Sequence, residues 1–133
     1  MDTGWQTYVD DSLIGSGHID QAGIYSLTDE VFYALSPGFD PTPEEMRVIV
    51  GIVTGDEAVK DRAFGDGLHV AGNRYILTKA EDRSIYARSG RTGITVAKAN
   101  RTVIVGHHPE TAVAGNANST VESLADYLTG QGY

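Results

Sequence analysis

Apolar residues recur at helical spacing near both ends of the chain. At the start, residues 3–14 are predicted to form a helix, which stops at Gly15 and Gly17 because glycine favours helix ends. At the other end, one apolar stripe repeats every three or four positions and comprises Val113, Ala117, Val121, Leu124, Ala125 and Leu128. The pattern therefore predicts one helix near each end of the sequence.

The segment after the first helix predicts a β-hairpin followed by two helices. Residues 18–26 and 31–35 carry Ile, Tyr, Val and Phe on either side of a polar turn at 28–30. Thr42, Pro43 and Glu45 then combine an N-cap, a favourable first helical residue and the acid of a capping box. The helix they begin is too apolar over 46–53 to be exposed all round, and a second short helix is predicted over 56–63.

The second half of the chain has the pattern of short strands. The segments 67–71, 74–80, 84–89, 92–98 and 102–107 are rich in Val, Ile, Thr and Tyr, and tight turns separate them. Connections this short require antiparallel pairing, because a parallel crossover needs a dozen residues or more. Strand alternation along 92–98 places Ile94 and Val96 on one face of the sheet. The run 103–105 is apolar at every position and is therefore predicted to be buried on both faces. The expected fold class is α+β, with helices on both faces of a central antiparallel sheet.

Aromatic residues with a polar group cluster in the two terminal segments. Trp5 and Tyr8 are one helical turn apart, Tyr127 lies at the edge of the C-terminal apolar stripe, and Tyr133 follows two glycines. If the terminal helices lie side by side, these rings form one shallow surface that suits a proline-rich peptide in the polyproline II conformation. The alternative is that Trp5 and Tyr8 anchor their helix in the core.

An ordered set of motifs resembles the profilin family. The set comprises Trp5–Asp10, Leu13–Gly15, Ala22–Tyr25, Gly67–Gly72, Asp82–Tyr86, Thr102–Val105 and Ala125–Leu128. These motifs follow the family order along all 133 residues, so we expect a single domain over residues 1–133. The resemblance implies a sheet of six to seven strands, with the N- and C-terminal helices on one face and the two shorter helices on the other.

The resemblance also implies a site for proline-rich ligands. Its matching positions are Trp5, Tyr8, Tyr33, Tyr127, Leu128 and Tyr133. Tyr33 is a departure, because the family usually has a strand Trp there. A Tyr still stacks and donates a hydrogen bond, so we expect binding to survive but to weaken. Its neighbour Phe32 is expected to face the core, since successive strand residues alternate.

A second implied site binds monomeric actin. Its matching positions are Arg74, Thr78, Lys79, Arg88, Ala114, Ala117, Asn118 and Glu122, with Arg91 and Arg101 nearby. Asn118 stands where many animal relatives have Lys, so one charge contact is missing. Independent support comes from charge: residues 74–101 have a net charge of +5 in a chain of net charge −8. A basic region on an acidic protein suits an acidic protein partner such as actin.

Composition limits the other function classes. A net charge of −8 argues against a nucleic-acid partner, and the absence of Cys excludes disulfides and thiolate metal sites. No charged-then-apolar leader opens the sequence and no apolar run reaches membrane-spanning length, so we expect a cytoplasmic protein. The resemblance implies that it is cytoskeleton-associated. The resemblance implies phosphoinositide binding too, but two acids interrupt the basic window, so we expect that binding to be weak.

Catalytic and cofactor motifs are incomplete. The run Gly15-Ser16-Gly17 lacks the third glycine and the preceding strand of a dinucleotide loop, and His107 and His108 point to opposite faces of a strand. We therefore expect no enzyme activity, cofactor or metal site. The resemblance implies a monomeric adaptor that binds actin and proline-rich proteins such as formins, and that regulates actin polymerisation. Two alternatives remain: a small-molecule-sensing domain and a dimerising scaffold of similar fold.

Overall fold

The computed structural model describes residues 4–81 and 83–133. The N-terminal helical segment is α-helical over Gly4–Thr7 (α1), π-helical over Tyr8–Leu13 and 3₁₀-helical over Ile14–Ser16. The other helices are α2 (Pro43–Val53), α3 (Glu57–Asp66) and α4 (Ala114–Gly130). The strands are β1 (Gln21–Ser26), β2 (Phe32–Leu35), β3 (Leu68–Val70), β4 (Asn73–Glu81), β5 (Ser84–Ser89), β6 (Thr92–Lys98) and β7 (Thr102–His108).

The strands form one antiparallel sheet of seven, in the order β2-β1-β7-β6-β5-β4-β3. This confirms the predicted antiparallel pairing and the α+β class. Central strand β7 is the most buried, and Val103, Ile104 and Val105 are fully buried as predicted. At one edge of the sheet, β1 and β2 form the predicted hairpin; at the other, β3 pairs only with β4.

The two faces of the sheet carry separate apolar cores. On one face α2 and α3 pack through Met46, Ile49 and Ala63 against residues that include Ile94 and Val96. On the other face the N-terminal helical segment and α4 pack against residues that include Ala97 and Ile104. The alternation predicted along 92–98 is therefore confirmed, and so is the arrangement of terminal helices on one face and middle helices on the other.

The local signals of the middle segment are also confirmed. Thr42 accepts a hydrogen bond from the Glu45 backbone N–H, and the Glu45 carboxylate accepts one from the Thr42 N–H, which completes the capping box. Asp56 is the N-cap of α3, and its carboxylate accepts a 3.2 Å hydrogen bond from the Val59 N–H. Helix α3 extends three residues beyond the predicted end.

Two local predictions differ from the structure at the N-terminal end. The predicted helix over 3–14 has its first residue outside the described residues, and most of the remainder is π-helical: the Ile14 N–H points to the carbonyls of both Val9 and Asp10. This wider turn still buries Val9 and Leu13 completely. Strand β1 begins at Gln21 rather than at residue 18, since Gly17 ends the helical segment with a positive φ of 81° and the chain turns there.

Candidate functional site

Five aromatic rings form one continuous cluster between the terminal helices and strand β2. The Trp5 ring centroid lies 5.0 Å from that of Tyr133, 5.2 Å from that of Tyr33 and 5.9 Å from that of Tyr8. Tyr8 in turn lies 6.0 Å from Tyr127. Most of these pairs are edge-to-face, an arrangement that aromatic quadrupoles favour. The structure thus brings together all five aromatic residues of the predicted proline-rich site.

Exposure within this aromatic cluster differs from residue to residue. Tyr33, Tyr127 and Tyr133 are 40–52% exposed, whereas Trp5 is only 8% exposed because the surrounding rings and the core cover it. The prediction that these rings form one shallow surface therefore needs a correction for Trp5, whose ring lies almost entirely beneath the others. The two alternatives for this residue combine: it anchors its helix in the core and also forms the floor of the aromatic cluster.

Leu128 requires a second correction. Its side chain is fully buried within the core beneath α4, so it is not available to contact a ligand. Leu128 is connected to the site through its backbone, because the Tyr133 N–H donates a 2.8 Å hydrogen bond to the Leu128 carbonyl. Leu128 therefore helps to fix the position of Tyr133 through this backbone hydrogen bond.

The position of Tyr133 depends on the chain reversal after α4. Gly132 has a φ of 91°, a left-handed conformation that favours glycine and turns the chain back over Trp5. The backbone oxygen of Tyr133 accepts hydrogen bonds from the Arg101 N–H and, at 3.3 Å, from the Thr102 hydroxyl. These contacts hold the last ring at the edge of the sheet.

Strand alternation positions Tyr33. As predicted, Phe32 points to the core on the α2 side, where it contacts Tyr25 at 5.1 Å between centroids, while Tyr33 points to the aromatic cluster. The Tyr33 hydroxyl donates a hydrogen bond to the carboxylate of Asp29 in the β1–β2 turn. The Tyr33 ring is therefore fixed at its outer end as well as by stacking.

A second surface lies on β4, β5 and the N-terminal half of α4. A concavity of about 540 Å³ there brings together four of the residues predicted to bind actin: Thr78, Arg88, Ala114 and Asn118. Arg91 lines it too, as do Tyr86, His108 and Glu110. Asn118 is half-buried and its Oδ1 accepts a 2.5 Å hydrogen bond from Thr95, so this side chain is held against the sheet.

Tyr86 links the remaining polar residues of this surface. Its hydroxyl donates a 2.7 Å hydrogen bond to Glu122, which also accepts one of 2.8 Å from Ser84. The Lys79 ammonium lies 5.0 Å from the Tyr86 ring centroid, within cation–π range. Burial, followed by the hydrogen bond and the charge of Glu122, raises the pKa of Tyr86 to about 12. Lys79 and Glu122 are thus connected through one tyrosine that sequence analysis did not assign to the site.

Two of the predicted actin-binding positions differ from expectation. Ala117 is fully buried in the core beneath α4, so its side chain is excluded from contact with a partner, which corrects that prediction. Arg74 is exposed but lies outside the concavity, and its Nε donates a 2.9 Å hydrogen bond to the Asp66 carbonyl at the end of α3.

The basic window of the sequence divides in space. Arg88 and Arg91 line the concavity, but Arg83 forms a 2.6 Å ion pair with Asp126 on α4. Arg101 lies beside Trp5 and Tyr133, at a small pocket of the aromatic cluster. The excess positive charge is therefore spread over more than one surface, and Arg101, a candidate for the actin site, lies apart from the concavity. The Asp82 of this window lies outside the described residues.

Sequence reasoning missed three residues at the second surface. Ile76 is 59% exposed on β4, between the buried Tyr75 and Leu77. Strand alternation predicts that Ile76 faces away from Tyr75 and Leu77, but the run of three apolar residues gives no indication of which face is exposed. His108 is buried at the concavity because the absence of a side chain on Gly93 leaves room for its ring. The third residue is Tyr86, which lies two positions before Arg88 on β5 and therefore on the same face of the strand.

The described residues contain neither a metal-binding cluster nor a membrane-spanning helix. In the ranges 4–81 and 83–133, no three His, Cys, Asp or Glu side chains are grouped so as to hold a metal ion. None of the helices in the same ranges is both long and apolar enough to cross a membrane.

Comparison with known proteins gives one consistent result. The sequence model of the family described as Profilin matches residues 3–133. The chain is 41% identical to profilin of Schizosaccharomyces pombe over 129 residues, which cover 97% of this chain and 98% of that protein. Among solved structures, profilin IA of Acanthamoeba castellanii has a TM-score of 0.89 at 39% identity, with 97% and 99% of the two chains covered. Mouse profilin IIa, solved in complex with a double repeat from the FH1 domain of mDia1, has a TM-score of 0.80 at 25% identity, with 98% and 100% covered.

Proposed function

This chain belongs to the profilin family, as its ordered motifs predict, and on that premise we propose that it is a cytoplasmic adaptor for actin and proline-rich proteins. In this proposal it binds monomeric actin on one surface and proline-rich segments on another, and thereby regulates actin polymerisation. Profilins are binding proteins rather than enzymes, so the proposal includes no catalytic step and no cofactor.

The aromatic cluster is the observation that carries the proposal. The exposed rings of Tyr33 and Tyr133 and the half-buried ring of Tyr8 surround the nearly buried Trp5, and flat rings with hydroxyl groups are the usual complement of polyproline II segments. The proline-rich repeat bound by mouse profilin IIa supports the same ligand class for this chain. The proposed contact residues are Trp5, Tyr8, Tyr33, Tyr127 and Tyr133.

The actin-binding half of the proposal is supported by the concavity on β4, β5 and α4. Arg88 and Arg91, against the single acid Glu110, give its lining a net positive charge, which suits an acidic partner. The exposed Ile76 adds apolar area beside Arg88. The proposed contact residues are Arg74, Ile76, Thr78, Lys79, Arg88, Ala114, Asn118 and Glu122.

Helix α4 separates the two proposed surfaces. Ala114 and Asn118, near its first residue, line the concavity, whereas Tyr127, near its last, belongs to the aromatic cluster. At 1.5 Å per residue, Ala114 and Tyr127 lie about 20 Å apart along the axis. One molecule therefore has room to hold an actin monomer and a proline-rich segment together. This is the geometry needed to deliver actin from a proline-rich assembly factor, such as a formin, to a filament end.

Phosphoinositide binding is a minor part of the proposal. Polybasic lipid sites usually cluster four to eight basic residues, whereas here Arg83 is paired with Asp126 and Arg101 lies apart from Arg88. We therefore propose that binding to anionic headgroups is weak.

Two binding experiments on the intact chain and its variants test the proposal. Trp5 is the one tryptophan, so a polyproline peptide is expected to change its fluorescence in a saturable manner, and Tyr133→Ala should weaken that binding about tenfold or more. Gel filtration with monomeric actin should then give a ternary complex, and Arg88→Glu should remove actin while the peptide stays bound. A folded sample with no fluorescence change at millimolar peptide contradicts the proline-rich site. Failure to bind actin contradicts the adaptor function.

A further inference from the structure

An open groove of about 630 Å³ runs between the N-terminal helical segment and α4. One end of this groove is formed by Tyr8 and Tyr127, two members of the aromatic cluster, whose ring centroids are 6.0 Å apart. The walls beyond them carry Ser12 and Ser16 on one side and Ser119 and Ser123 on the other. We refer to this feature as the hydroxyl groove. It is continuous with the aromatic cluster at the tyrosine end.

The two walls of the hydroxyl groove span equal numbers of residues. Tyr127 to Ser119 covers eight positions of the α-helix α4, which corresponds to about 12 Å. Tyr8 to Ser16 covers eight positions of the π-helical and 3₁₀-helical wall opposite. A polyproline II chain advances about 3.1 Å per residue, so the groove has the length of about four such residues. A ligand that stacks on the aromatic cluster therefore has room to continue along the groove.

The hydroxyl groups of the groove suit a proline-rich backbone. The Ser16 hydroxyl donates to the Leu13 carbonyl, but the side-chain hydroxyls of Ser12, Ser119 and Ser123 have no hydrogen-bond partner within the described residues. A proline has a carbonyl acceptor and no N–H, so a proline-rich segment needs donors from its partner and offers none in return. Free serine hydroxyls supply those donors.

The charge of the groove distinguishes this occupant from a lipid headgroup. None of the residues that line it is Lys, Arg, Asp or Glu, so an anionic ligand would find no counter-charge there. Its lining combines tyrosine rings, Leu124 and hydroxyl groups, which match a neutral, extended and partly apolar chain.

We propose that the hydroxyl groove is an extension subsite that binds about four further residues of a proline-rich ligand, with Ser12 and Ser123 donating hydrogen bonds to its carbonyls. This inference rests on the proposed proline-rich function and specifies the length of ligand recognised. The aromatic cluster binds the first part of the segment, and the groove adds affinity only for segments long enough to reach it.

Peptide length provides the test. Two proline peptides, of about six and about ten residues, are titrated by calorimetry against the intact chain, the Ser12→Ala/Ser123→Ala variant and the Ser89→Ala variant. Ser89 is an exposed strand serine outside the groove, so Ser89→Ala controls for loss of a surface hydroxyl. Ser12 and Ser123 are exposed as well, and alanine favours helices, so the double variant is expected to fold.

The expected result is a loss confined to the longer peptide. Its affinity should fall about three- to tenfold in the double variant, the effect of one or two net hydrogen bonds, while the shorter peptide and the Ser89→Ala variant are unchanged. A longer peptide offers more binding registers, which raises its apparent affinity by the same factor for every variant. This factor therefore cancels when the variants are compared. An unchanged affinity for the longer peptide, or an equal loss for both, overturns the extension subsite. Absence of binding by both peptides to the unaltered chain instead contradicts the proline-rich function itself.

Discussion

The Tyr33 hydroxyl donates a hydrogen bond to the carboxylate of Asp29, four residues earlier in the β1–β2 turn. Asp29 is in turn held by its own backbone N–H, which donates a 3.0 Å hydrogen bond to the Ser26 hydroxyl. The ring of Tyr33 is 40% exposed, yet it is oriented at one end by this bond and at its face by Trp5. Restricting an exposed ring in advance reduces the entropy lost when a ligand stacks on it.

Removal of the Tyr33–Asp29 hydrogen bond is expected to weaken proline-rich binding slightly. Tyr33→Phe and Asp29→Ala should each reduce the affinity for a polyproline peptide about two- to threefold, because the ring remains but is less ordered. Asp40→Ala is the control, since it removes one exposed carboxylate outside the aromatic cluster. Calorimetric titration measures the change, and equal effects of Asp29→Ala and Asp40→Ala would contradict a specific role for the bond.

Glu45 is expected to stabilise the fold beyond its own helix. Its carboxylate accepts hydrogen bonds from the N–H groups of Thr42, Ala71 and Gly72, at 2.8 to 2.9 Å, and so joins the start of α2 to the β3–β4 turn. Glu45→Ala should lower the free energy of unfolding by about 2 kcal/mol, because three charge-assisted bonds are lost, one of them the reciprocal bond of the capping box. Urea unfolding measures this change in the free energy of unfolding. Glu44→Ala, in the same helical turn, should change stability by about 0.5 kcal/mol at most.

Gly93 is expected to be intolerant of a side chain. A Cβ at this position would meet the buried His108 ring and would lie 2.8 Å from the Ala87 carbonyl oxygen. Gly93→Ala should therefore lower the free energy of unfolding by about 2 kcal/mol through overpacking. Gly115 is the matched control, because a Cβ there meets nothing within 4 Å and the residue is helical. Gly115→Ala should instead stabilise the chain by about 0.5–1 kcal/mol. Thermal unfolding measures both changes in stability. A change of the same sign in the two variants would contradict the predicted contrast.

Residue patterns predicted much of this fold because its local and tertiary signals agree. The capping box at Thr42, the alternation at Ile94 and Val96 and the apolar run 103–105 each depend on sequence-local chemistry, and each is confirmed. Burial was harder to predict for residues that lie where elements meet. Trp5 is covered by rings from β2 and the C-terminal turn, so its own helix pattern carries no sign of its 8% exposure.

The second surface shows the same limit more clearly. Ala117 has the spacing of both a core residue and a contact residue on α4, and only the packing of the helix on β6 and β7 decides that it is buried. Tyr86 acquires its partners Glu122 and Lys79 from a helix and a neighbouring strand. Contacts between residues this distant in sequence are not encoded in any local pattern.

Tyr86 is expected to make stability fall at high pH. Its pKa is raised to about 12 in the folded chain by burial and by Glu122, against about 10 for an unfolded tyrosine. Between these values the unfolded chain loses a proton that the folded chain keeps, so ionisation favours unfolding. The stability contribution is thus complete below pH 10 and is lost as the pH rises towards 12. Denaturant unfolding from pH 9 to 12 should show a smaller decline for Tyr86→Phe, and an identical decline would contradict the assignment.

Ile76 is expected to contribute to partner binding and little to stability. Its side chain is 59% exposed on β4, in the phase opposite to the buried Tyr75 and Leu77, so the fold itself gains little from it. If actin covers this surface, Ile76→Ser should weaken the complex about tenfold, as expected for an apolar residue buried near an interface centre, while urea unfolding changes little. Val31→Ser provides the control: Val31 is 52% exposed near the other edge of the sheet, and its substitution should leave actin affinity unchanged. A loss of affinity in both variants would indicate a general effect of surface apolarity, whereas no loss for Ile76→Ser would exclude this part of β4 from the actin interface.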